Sequence, residues 1–138
     1  MTRLSPLALV LFATGCSFSV SDGYYTPAPT PDAAPKVTWA DASCYWDDGY
    51  RDFVWWFEAD VGDGNGVADV DGVFADVYDE YDGSWVDTFE LFWDGGNTYY
   101  SSWQGQSTYL DCDYYQYVVD FTAVDSSGEG PAYSLELW

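Results

Sequence analysis

The sequence predicts an all-β fold, a single antiparallel β-sandwich of about seven strands, and three observations lead there. From Lys36 onwards, apolar runs alternate with Asp, Gly, Asn and Ser punctuation every ten to fifteen residues, a spacing that suits short strands joined by tight turns. Aromatic residues make up 21% of the chain, with 8 Trp, 13 Tyr and 8 Phe, and such side chains favour pleated, half-buried surfaces. No amphipathic stretch of ten or more residues reads as a helix.

The strands fall at about 37–46, 52–60, 70–79, 85–93, 98–104, 114–124 and 131–138. Between them lie Asp47-Asp48-Gly49, the stretch from Gly62 to Gly66, Asp82-Gly83, Asp94-Gly95-Gly96-Asn97, the stretch from Gln104 to Ser107, and Asp125 to Pro131. In the third strand Val73, Ala75 and Val77 share a face opposite Asp76 and Tyr78. In the sixth, Tyr115, Tyr117, Val119, Phe121 and Ala123 line up in the same way. Seven such strands over about a hundred residues need a second layer to cover their apolar faces, hence the sandwich. A closed outer-membrane barrel is rejected: counting back from Trp138, Glu136 and Ser134 stand where its last strand requires apolar residues.

Charge and composition exclude whole classes of function. Against 24 acidic residues stand only Arg3, Lys36 and Arg51, for a net charge of −21. A nucleic-acid partner needs a basic surface, and anionic lipid headgroups repel an acidic one. The acidity keeps an aromatic-rich protein soluble. The chain has no His, which removes the commonest general base and the usual activator of a cysteine nucleophile. Gly62-x-Gly64-x-Gly66 lies in an acidic loop and cannot cradle phosphate. Close carboxylate pairs of the kind that hydrolyse glycosides arise by chance at this acid content. The chain is read as non-catalytic.

Residues 1–15 read as a signal peptide, with Arg3 ahead of a short apolar run from Leu4 to Phe12. That run is too short for a bilayer core, which takes about 20 apolar residues. Ala13-Thr14-Gly15-Cys16 resembles the lipobox of bacterial lipoproteins. The resemblance implies cleavage before Cys16, a diacylglycerol on its sulfur and an acyl chain such as palmitate on its amine. With Ser17 next, it also implies an outer-membrane destination. Ordinary secretion, cut at the same bond, is the alternative. Residues 16–35 continue with Pro27, Pro29, Pro31 and Pro35, an extended tether expected to make no core contacts. Residues 36–138 form the single domain.

Within that domain, Cys44 and Cys112 lie 68 residues apart with Trp55 and Trp56 between them, and the chain ends in YVVDFTAVDSSGEGPAYSLELW. This pattern resembles immunoglobulin-like and fibronectin-III-like sandwiches. It departs from them at Leu110, where antibody domains place a corner tyrosine, and in putting Cys44 on the first strand. If lipid occupies Cys16, the odd cysteine count resolves and Cys44 pairs with Cys112, as export favours. Two free thiols are the alternative.

Two constellations are candidates for binding. Asp60, Asp63, Asn65, Asp69 and Asp71 crowd oxygen ligands into a glycine-rich loop, the chemistry a calcium ion needs. The loop resembles the calcium loops of thrombospondin-type-3 and dockerin repeats and fails the EF-hand pattern; a plain polar turn is the alternative. The pairs Trp55-Trp56, Tyr99-Tyr100 and Tyr114-Tyr115 each put one ring on either side of the sheet. The outward rings are candidates for a platform that takes sugar rings or protein; coverage by a second layer, the tether or edge packing is the alternative. The leading expectation is a lipid-anchored envelope module for protein contacts or envelope structure. The alternative is a carbohydrate-binding module carrying structural calcium.

Overall fold

The alternation of apolar and polar residues organises eight strands: β1 (Lys36–Asp47), β2 (Asp52–Gly62), β3 (Val70–Asp79), β4 (Trp85–Gly95), β5 (Thr98–Gln104), β6 (Tyr117–Asp125), β7 (Gly128–Glu129) and β8 (Tyr133–Leu137). The structure, a computed structural model, describes residues 33–137 apart from Asn65. The signal segment, Cys16, the tether up to residue 32, and Trp138 lie outside the described residues. Among the described residues, the helical content is two single-turn 3-10 helices, Val67–Asp69 and Gly105–Ser107. None is long and apolar enough to cross a membrane.

Every strand pairing is antiparallel, in the order β1-β2-β5-β4-β3-β6, with β7 and β8 both pairing β6. One strand carries the bend. Residues of β4 up to Leu91 pair with β3, whereas Phe92, Trp93 and Gly95 pair with β5. The eight-stranded sheet therefore turns a corner along β4 and curls into a half-barrel. Its two ends approach each other, and β1 contacts β6 and β8 without a shared hydrogen-bond ladder. Cys44 on β1 is disulfide-bonded to Cys112 in the connection before β6, Cα to Cα 5.7 Å. The bridge clasps the open side of the curl.

The core fills the concave side. Ala40 and Ala42 of β1, Trp55, Phe57, Ala59 and Val61 of β2, Val73, Ala75 and Val77 of β3, Phe89 and Leu91 of β4, and Val119, Phe121 and Ala123 of β6 are all buried. Aromatic contacts join the two halves. Phe57 stacks on Phe89 with ring centroids 4.5 Å apart, and Trp55 meets Tyr117 edge-on at 6.0 Å. Such pairs add about 1 kcal/mol beyond the area they bury.

The turns explain part of the acidity. Asp47, Asp79, Asp82, Asp111 and Asp125 each accept the backbone N–H two residues on, the Asx turn that makes aspartate a turn residue. Hydrogen bonds from Ser84 hold Asp82 below the usual carboxylate range. At the β4–β5 turn, Gly95 and Gly96 adopt φ of 133° and 59°, backbone that side chains resist.

Three details differ from the sequence reading. The sixth strand starts at Tyr117 instead of residue 114, because residues before it are drawn towards β1 by Cys112. Tyr115, expected on its inward face, is consequently 61% exposed. Pro35, assigned to a tether without core contacts, is fully buried, and a Cβ on Gly130 would collide with its carbonyl.

Candidate functional site

On the convex side of the first half of the sheet, the outward residues are Asp41, Ser43 and Tyr45 of β1, Val54, Trp56 and Glu58 of β2, Tyr100 and Ser102 of β5, and Phe92 of β4. They are the alternates of the buried Ala42, Trp55, Phe57, Tyr99 and Leu91, although Val54 among them is itself buried. Cross-strand register sets their neighbours. Tyr45 faces Val54, one pleat from Trp56, and Trp56 lies between Ser43 and Ser102. Tyr100 lies between Glu58 and Phe92. The rings of Tyr45, Trp56, Tyr100 and Phe92 thus run diagonally across four strands, about 14 Å at ~4.8 Å per strand. Partial burial raises the Tyr45 phenol, and the neighbouring Tyr100 hydroxyl adds to the rise. Phe92 is 59% exposed and Tyr45 44%, so the stripe is reachable from solvent.

Where β5 parts from β4 beyond Tyr100, a groove of about 410 Å³ opens between Phe92, Trp93 and Asp94 on one side and Tyr100, Ser102 and Trp103 on the other. A second hollow of about 480 Å³, also lined by Phe92 and Trp93, is walled by the segment from Val67 to Gly72 and by Glu90. Phe92 and Trp93 form the ridge between them. The sequence reading named neither Tyr45 nor Phe92, although each belongs to an adjacent aromatic pair, Tyr45-Trp46 and Phe92-Trp93.

The pairs it did name divide. Trp55 and Tyr99 point into the core, with the Trp55 indole N–H buried and unbonded among the described residues. Burial raises the Tyr99 phenol, whose hydroxyl donates to the Val67 carbonyl. Trp56 and Tyr100 lie outward on the stripe. Tyr114 and Tyr115 belong elsewhere, beside the disulfide. Tyr114 donates to Asp79 at 2.8 Å, and that bond pushes its phenol up to about 12.

The acidic loop divides too. One carboxylate oxygen each from Asp63, Asp69 and Asp125 lie within 4.8 Å of one another. Asp125, absent from the sequence-based set, arrives because β6 pairs with β3 so that Asp125 faces Val70, the residue after Asp69. Asp60 stays on β2, where Thr98 donates to it at 2.6 Å, and Asp71 is exposed on β3. Neither is in the cluster. Asn65 lies outside the described residues.

No protein-family model, curated protein or solved structure matches this chain.

Proposed function

We propose that the chain is a non-catalytic binding module of immunoglobulin-like type, held at the cell envelope by lipid on Cys16, and that its convex aromatic face contacts a protein with a basic surface. The fold part rests on strand order. β1-β2-β5-β4 followed by β3-β6-β8 is the order of the A-B-E-D and C-F-G sheets of a constant-type immunoglobulin domain. The binding part rests on the diagonal of Tyr45, Trp56, Tyr100 and Phe92, with Asp41 and Glu58 set among the rings. Trp and Tyr supply rigid contact area, their faces attract Arg and Lys, and the carboxylates pair with the same cations. A chain with net charge −21 recruits such a partner by long-range attraction. The absence of His from the chain and the bonding of Cys44 to Cys112 support a role without catalysis.

A photo-crosslinker at Phe92 in the full exported chain tests this. The expected outcome is capture of a Lys/Arg-rich protein, weakened by salt and lost in the Trp56→Ala/Tyr100→Ala variant. Capture indifferent to both substitutions would refute the face as the contact. The Ser43 and Ser102 hydroxyls flanking Trp56 favour a second reading, stacking of a neutral glycan. Salt-insensitive binding on a glycan array, abolished by Trp56→Ala, would select it. Mass spectrometry of the mature N-terminus decides the anchor, and an unacylated Cys16 would sink it.

A further inference from the structure

We infer that Asp63, Asp69 and Asp125 form a calcium site joining the β2–β3 loop to the end of β6. Three oxygens, one from each carboxylate, lie within 4.8 Å of one another. Calcium–oxygen distances of about 2.3–2.6 Å allow ligand oxygens on one ion to be up to about 5 Å apart, so one ion can touch all three.

The cluster is drawn in from the surface, with Asp125 buried and Asp63 and Asp69 half-buried. Asp125 is 5% exposed, and its Oδ2 is buried with no hydrogen-bond partner among the described residues. The Oδ1 of the same carboxylate accepts from the Ser127 amide, the Ser127 hydroxyl and the Gly128 amide. One oxygen of the group is thus saturated and the other is buried without a partner among the described residues, in a carboxylate that clusters with two more acids. Asp69 Oδ1 is likewise buried and unbonded among the described residues. Leaving a buried charged oxygen without a partner is costly, and here two such oxygens, Asp125 Oδ2 and Asp69 Oδ1, belong to carboxylates of one cluster. A cation offsets that cost by ligating the bare oxygens and neutralising the mutual repulsion.

The donor set selects the ion. All three ligands are carboxylate oxygens, there is no His in the chain, and Cys44 and Cys112 are consumed in the disulfide, so among the described residues softer metals find no preferred ligand. Gly62, Gly64 and Gly66 leave room for carbonyls and water to complete the shell, which suits the flexible, higher coordination of calcium over the strict octahedron of magnesium. The site does not depend on the aromatic face, and the two stand or fall separately.

The test uses the full chain, melted with chelator and then with calcium up to about 10 mM, the range of extracellular modules. The expected result is a saturable rise in Tm of roughly 10 °C at a hundredfold excess over Kd. Asp125→Asn keeps a carbonyl oxygen for the Ser127 and Gly128 donors. It should abolish the rise while melting in chelator no lower than wild type, because a bare buried charge is gone. Asp60→Asn and Asp71→Asn should keep the full response. Terbium gives a readout that needs no variant, since Tyr99 bonds the Val67 carbonyl in this loop and can sensitise emission that calcium then displaces. An unchanged Tm with no displaceable terbium emission would overturn the site. So would a calcium response that survives Asp125→Asn, or a magnesium response equal to that of calcium.

Discussion

Replacing Cys44 and Cys112 together by Ser measures how far the clasp, rather than strand pairing, holds the half-barrel closed. β1 is an edge strand bonded by a ladder to β2 alone, and it meets β6 and β8 only through side chains. The bridge spans 68 residues. Closing a loop of that length removes about 15 cal/mol/K from the unfolded chain on the entropy model, or about 4 kcal/mol at 25 °C. For a small domain whose whole stability is about 5–15 kcal/mol, that is a large share. Urea unfolding followed by tryptophan fluorescence should show the midpoint fall by about 2 M at an m-value of ~2 kcal/mol/M, with m itself rising as the unfolded chain expands. Hydrogen exchange should show β1 losing protection ahead of β3 and β6, which are paired on both sides. A loss below about 1 kcal/mol, or β1 protected as well as β3, would refute the reasoning. Side-chain packing between β1 and β8 would then suffice to close the curl.

Raised phenols at Tyr114, Tyr99 and Tyr117 make the fold favour the protonated form. Their stabilisation is therefore full below about pH 10 and lost as pH rises through the folded values, near 12 for Tyr114. The urea midpoint should fall over that window and fall less in Tyr114→Phe, whereas a flat midpoint would contradict the assignment. On the convex side of the second half of the sheet, Asp76 stands directly opposite Asp120, each relieved by one hydroxyl, from Thr88 and Ser134. Asp120→Asn keeps the acceptor and removes the repulsion, so stability should rise by about 0.5 kcal/mol. A loss measured by the same unfolding curves would show that the pair is favourable as it stands.

Strand positions were legible because their causes are local. Period-two alternation places Val73, Ala75 and Val77 inward within a few residues of chain, and Asp and Gly mark the turns by their own hydrogen bonding and φ preference. The third strand accordingly spans residues 70–79 in both readings. Tyr115 was misplaced because the force acting on its segment, the bond from Cys112 to β1, is not local.

The inward or outward sense of each ring in Trp55-Trp56 and Tyr99-Tyr100 follows from the pleat, but which outward rings become neighbours depends on register between strands far apart in sequence. Trp56 lies one pleat from Tyr45 and Tyr100 only because β2 pairs with both β1 and β5, and Phe92 joins them only because β4 changes partner at that residue. The acidic loop shows the same division. Its composition announces oxygen ligands, yet pairing of β3 with β6 brings in Asp125, while Asp60 and Asp71 remain on strands that carry them elsewhere. Composition and alternation act along the chain and are written in it. The aromatic stripe and the carboxylate triad are made by hydrogen-bonded register across the sheet, which only the folded chain sets.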